Sequence, residues 1–190
     1  MRTDDTIVIS SQFNGPPNSG NGGVCAGLAA QFINGQAEVR LSAPPPLDTP
    51  ISVVRDKETV RFEHDGHTVM SAKPGLTPST PPAPPPVDVI RAAPVNYPTE
   101  SEHGIPGCFV CGPRRGEGDG LCVHAQPIPG HSGASCLWTP HKAFSDENGD
   151  IKDEFVWGAL DCPSAFALNT TEPVMVLLGT MRGKILRPSG

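Results

Sequence analysis

The sequence predicts an α+β fold in which a curved antiparallel sheet wraps one buried helix. Three features point there. The run Gly22 to Asn34, GGVCAGLAAQFIN, carries no charge and is small or apolar on every side, the pattern of a helix enclosed all round rather than one facing water. A strand-like segment, Thr6 to Phe13, precedes it. Short segments rich in β-branched residues follow it at 38–41, 51–55, 59–64 and 67–72, with turn residues between them. One strand, one helix and then several strands is the order of a layered α+β unit.

Each element has a local reason. The loop Gly15-Pro16-Pro17-Asn18-Ser19-Gly20 ends the first strand, and Asn21 stands where a side-chain oxygen can cap the helix that follows. Within the helix, Gly23, Ala26, Gly27 and Ala30 form a smooth flank against which a sheet is expected to approach closely. Val24, Leu28 and Phe32 form the bulkier stripe and are expected to be almost fully buried. The prolines at 44–46 bend the chain, and Asp65-Gly66 is the tip expected of a tight hairpin between 59–64 and 67–72.

Residues 74–86, PGLTPSTPPAPPP, hold seven prolines in thirteen positions and read as an extended connector, because proline lacks the amide donor that helices and interior strands need. The connector runs to about residue 103 and divides the chain into an N-terminal unit, 1–73, and a C-terminal unit, 104–190. Of the 190 residues, 21 are glycine and 23 proline, which leaves a lean core and no apolar stretch near the ~20 residues that cross a bilayer. The net charge is −6 and the 14 lysines and arginines are scattered, so neither nucleic acid nor a membrane surface is an expected partner. The acidic start, followed by the short run Ile7-Val8-Ile9, is unlike a secretory leader, and six cysteines are too few for a disulfide scaffold, so a cytoplasmic protein with free thiols is expected.

Four blocks, FNGPPNSGNGGVCAGLAA, PPPLDTPISVVRD, CFVCGPRRGEGDGL and FVWGALDCPSAFAL, together resemble a bacterial family of thioesterase-like double-hotdog proteins. The resemblance implies a hotdog fold in both units and an acyl-CoA or acyl-carrier thioester as substrate, hydrolysed without a cofactor. A shift of 140 residues lays Asn21 over Asp161 and GVCAGLAAQF over PSAFALNTTE, so each unit is expected to have a capped apolar helix. On that shift the second unit ends before its last strands. It is expected either to be truncated or to receive strands from another chain, which suggests a homodimer or larger homo-oligomer.

The resemblance carries catalytic roles onto Asn21 and Asp161 and substrate-binding roles onto Gly22 and Gly23. Helix N-terminal amides can polarise a thioester carbonyl, and a carboxylate between Leu160 and Cys162, flanked by Trp157 and Phe166, has apolar surroundings that make it a better base. A structural reading of the same residues stays open: Asn21 caps its helix, and Asp161 caps a second helix whose first turn holds Pro163. Arg114 and Arg115, in the glycine-rich stretch 112–120, are candidates to contact coenzyme A phosphates, or else belong to a solvated turn. Cys108 and Cys111 form a C-x2-C pair that Cys122 and His124 can complete as a zinc site. The C-x-H spacing of that second half departs from zinc ribbons, however, and no bound metal is expected. A non-catalytic acyl-binding or assembly module of the same fold is the alternative to hydrolysis.

Overall fold

The computed structural model describes residues 6–76, 83–168 and 175–186. Six antiparallel strands form one sheet in the order β1-β3-β4-β5-β2-β8: β1 (Thr6–Val8), β2 (Ala37–Leu41), β3 (Pro50–Asp56), β4 (Thr59–His64), β5 (His67–Pro74) and β8 (Thr180–Gly183). The 59–64/67–72 hairpin is as expected. Asp65 (φ 49°) and Gly66 (φ 76°) both adopt positive φ, the geometry that matches a two-residue turn to the twist of its strands. The expected strand at 6–13 is shorter, because Ser10 caps a 3-10 turn over Ser11–Phe13.

Helix α1 (Gly22–Ala30) packs between the sheet and helix α3 (Asp153–Phe166). Cys25, Ala26 and Ala29 join the sheet core with Val39, Ile51, Phe62 and Met70. Val24 joins a second core in which Phe144 packs edge to face on both Phe109 and Phe155. Nine residues are too few to hold a helix in water, so α1 depends on this enclosure. Of the expected stripe, Val24 is fully buried, whereas Leu28 and Phe32 are only partly covered. The helix ends at Ala30, which leaves Phe32 in a turn over the Phe62 ring.

The two glycines of the small flank, Gly23 and Gly27, face α3, whereas Ala26 and Ala30 pack on the sheet core as expected. A Cβ on Gly23 would come within 2.8 Å of the Gly158 Cα, and one on Gly27 within 2.5 Å of the Glu154 Cα. The two helices therefore run antiparallel with their backbones nearly touching. The chain on either side of the connector contributes to one sheet, since β8 pairs with β2 (Ala37 opposite Gly183, Arg40 opposite Thr180) and Trp157 of α3 lies beneath it. The connector is not extended throughout: Val87–Ala92 forms a short helix, α2. Residues 77–82 lie outside the described residues. A two-stranded ribbon, β6 (Gln126–Pro127) with β7 (Ala134–Ser135), completes the described elements.

An internal repeat is present, but at a different offset from the one expected. A 3-10 turn, an isolated bridge, an N-cap and a helix follow one another twice. Phe13 corresponds to Phe144, the bridge Asn14–Gly20 to Ser145–Ile151, and the cap Asn21 to Lys152. Asn21 thus matches Lys152 and not Asp161. Asp161 does not cap its own helix, because α3 already begins at Asp153, and Pro163 lies inside the helix rather than in its first turn. Among the described residues no helix is long and apolar enough to cross a membrane.

Candidate active site

The start of α1, the last turns of α3 and the Cys108–Cys111 loop meet at a cavity of about 500 Å³. Asn21, Gly22, Asp161, Cys108, Cys111 and Cys162 line it together with Phe166 and the segment 175–178, and Leu178 lies against Gly22. A wider groove of about 850 Å³ lies at the other end of α1; among the described residues it is lined by no cysteine or histidine, and two of its four carboxylates are engaged locally, Asp146 closing its own turn and Glu154 accepting from Gln31. The smaller cavity therefore holds the convergent chemistry.

Asn21 caps α1, its Oδ1 accepting from the Val24 amide at 3.0 Å. Asp161 reaches the same helix end from α3, and its Oδ2 accepts from the Gly23 amide at 2.8 Å. The helix end therefore holds a carboxylate against amides with partial positive charge. Among the described residues the Gly22 amide, next in line, has no acceptor, and Asp161 Oδ1 has no donor. Burial pushes the Asp161 carboxyl up to about 6, with the Gly23 hydrogen bond opposing and the Cys108 sulfur adding to the rise. Room at Gly22 is limited, because a Cβ there would lie 2.8 Å from the Leu178 Cβ and 3.1 Å from Asp161 Oδ2.

Beside the carboxylate the sulfurs of Cys108, Cys111 and Cys162 all lie within 4.8 Å of one another. Cys108 is the most readily ionised of the three, because the Cys111 and Cys162 thiols donate to its sulfur, and the same contacts push those two thiols up. The Asn21 amide nitrogen adds donors to Cys108 Sγ (3.6 Å) and Cys162 Sγ (3.9 Å). Tyr97 braces this loop by donating to the Cys111 carbonyl. His103 also lines the cavity with both ring nitrogens engaged. Its Nδ1 accepts from the Ile105 amide, which places the ring proton on Nε2, 3.1 Å from the Tyr97 hydroxyl. Burial holds its pKa below the usual range, so it remains a neutral brace.

The expected residues are thus divided. Asn21, Gly22 and Asp161 line the cavity, and Gly23 sits just behind, bonded to Asp161. Arg114 and Arg115 lie elsewhere. Arg114 pairs with Glu100, and Arg115 ties the 107–120 loop to Asn14 through bonds to the Gly107 carbonyl, Asp119 and the Asn14 side chain. Cys122 and His124 do not join Cys108 and Cys111. The Cys122 thiol donates to the Arg115 and Gly120 carbonyls, and the His124 ring stacks on Tyr97 with a buried Nε2 that has no partner among the described residues. Cys162 stands in their place. Sequence spacing cannot reveal this, because Cys162 reaches the loop only through the antiparallel crossing of α3 over α1.

Comparisons with protein-family models, curated proteins and solved structures find no match to this chain. The functional reading therefore rests on the site itself.

Proposed function

We propose that this protein hydrolyses an acyl-CoA or acyl-carrier thioester within a hotdog-type fold. The observation that carries the reading is the convergence of the Asp161 carboxylate and the Gly22 amide on one cavity that Phe166 and the apolar segment 175–178 also line. The arrangement suits an acyl chain held along Phe166 and 175–178, with its thioester carbonyl oxygen accepting from the Gly22 N–H. Water attacks the carbonyl carbon as Asp161 takes its proton. The tetrahedral oxyanion is held at the helix end, then the C–S bond breaks and the departing sulfur receives the proton that Asp161 took, which yields a free acid and a thiol and restores the carboxylate. Asn21 is a positioning residue in this scheme, since its side chain holds the helix end that presents Gly22.

The strand order around a helix that follows the first strand supports the hotdog assignment, with β8 placed where a second unit's sheet would begin. Association of two copies through that edge, and a reducing cytoplasm that keeps the six thiols free, belong to the same proposal. The non-catalytic alternative, acyl binding alone, draws support from the Asp161–Gly23 hydrogen bond, which also serves to lock α3 onto α1.

Thiol release from a panel of acyl-CoA esters of increasing chain length separates the two. Hydrolysis predicts saturable release for at least one chain length, and acyl binding alone predicts saturable binding without release.

A further inference from the structure

We infer that Cys108, Cys111 and Cys162 form a binding site for one zinc ion, with the fourth coordination position open to the cavity. Three thiolates around zinc, each at ~2.3 Å, would stand about 3.8 Å apart at the corners of a tetrahedron. The three sulfurs here lie within 4.8 Å of one another, so closing the site takes a movement on the order of 1 Å. Soft sulfur ligands in tetrahedral array favour zinc over magnesium, calcium or manganese.

The surroundings fit a metal site rather than three thiols that happen to meet. Cys108 and Cys111 stand on a tight turn closed by the Gly112 amide donating to the Cys108 carbonyl at 2.9 Å. Nothing larger than glycine fits there, because a Cβ on Gly112 would lie 2.4 Å from the Pro106 carbonyl oxygen. Such a turn fixes both sulfurs on one side of the loop. The third comes from α3, one residue after Asp161, so the metal would join the loop to the helix. The Asn21 amide nitrogen donates toward two of the sulfurs, the outer support that thiolate ligands need when their charge is buried. Two of the cysteines are buried and the third half-buried, yet all three line the cavity, which leaves one side open for a water molecule as fourth ligand. The inference does not depend on thioester hydrolysis, because it is read from metal content and spectra without substrate.

The test uses the full chain purified with a thiol reductant, loaded with equimolar zinc, freed of excess metal and analysed by elemental mass spectrometry. Cobalt loading of the metal-free protein then reports thiolate ligation through its charge-transfer absorption. The expected result is about one zinc per chain, with a thiolate–cobalt band in the parent and in Cys122→Ser. Cys162→Ser should lose affinity by at least ~100-fold, since even outer-shell changes cost 10–100-fold. Cys111→Ser provides a second variant should Cys162→Ser fail to fold by circular dichroism. The inference is overturned if the parent holds no stoichiometric zinc or if Cys162→Ser binds as tightly as the parent. Equal weakening by Cys122→Ser also overturns it, because that would restore the ligand set suggested by spacing alone.

Discussion

Asp161→Asn is expected to lower thiol release at least ~100-fold, the smaller end of what a positioned base contributes, while the protein stays folded. The carboxamide oxygen of asparagine can still accept from the Gly23 amide, so the α1–α3 contact survives, but it cannot take a proton from water. Asp161→Ala removes the acceptor as well and should cost about 1 kcal/mol of stability through that lost hydrogen bond. Comparison of the two variants, by turnover and by urea denaturation, separates chemistry from support. An asparagine variant as active as the parent would remove Asp161 from the mechanism.

The second large effect is structural. Gly23→Ala places a Cβ 2.5 Å from the Asp161 Cβ and 2.8 Å from both the Gly158 Cα and the Trp157 carbonyl oxygen. Two of these neighbours are backbone atoms, which cannot rotate away, so the helices must separate. Alanine gains about 1 kcal/mol of helix propensity over glycine, whereas overpacking typically costs ~1–3 kcal/mol and more against backbone. Overpacking wins, and a net loss of about 2 kcal/mol is expected, seen as a lower urea midpoint with unchanged slope. A variant more stable than the parent would show that α1 and α3 do not approach as described.

Local signals account for what was legible in the sequence. The Asp65-Gly66 turn and the helix start at Gly22 each carry their cause within a few residues and appear where expected, although the helix stops at Ala30 rather than running to Asn34. Helix α3 begins earlier than its sequence suggests because its N-cap, Lys152, makes no side-chain capping bond, while Asp161 and Pro163 imitate a helix start further along. Strand β8, TMRG, has no marked alternation and is specified by pairing with β2 from more than a hundred residues away. The site shows the same division. The Asn21 cap is local, whereas the approach of Asp161 to Gly23 and of Cys162 to Cys108 depends on glycines that let two distant helices touch.

The proposed chemistry needs a ligand carbonyl at the Gly22 amide. In 15N-labelled protein titrated with an acyl-CoA analogue whose thioester sulfur is replaced by methylene, leaving the carbonyl intact, the Gly22 N–H signal should move downfield and saturate, together with the Leu178 methyl signals. Saturable binding of the analogue that leaves Gly22 unmoved, or no binding at any chain length, would contradict the assignment of this helix end as the thioester site.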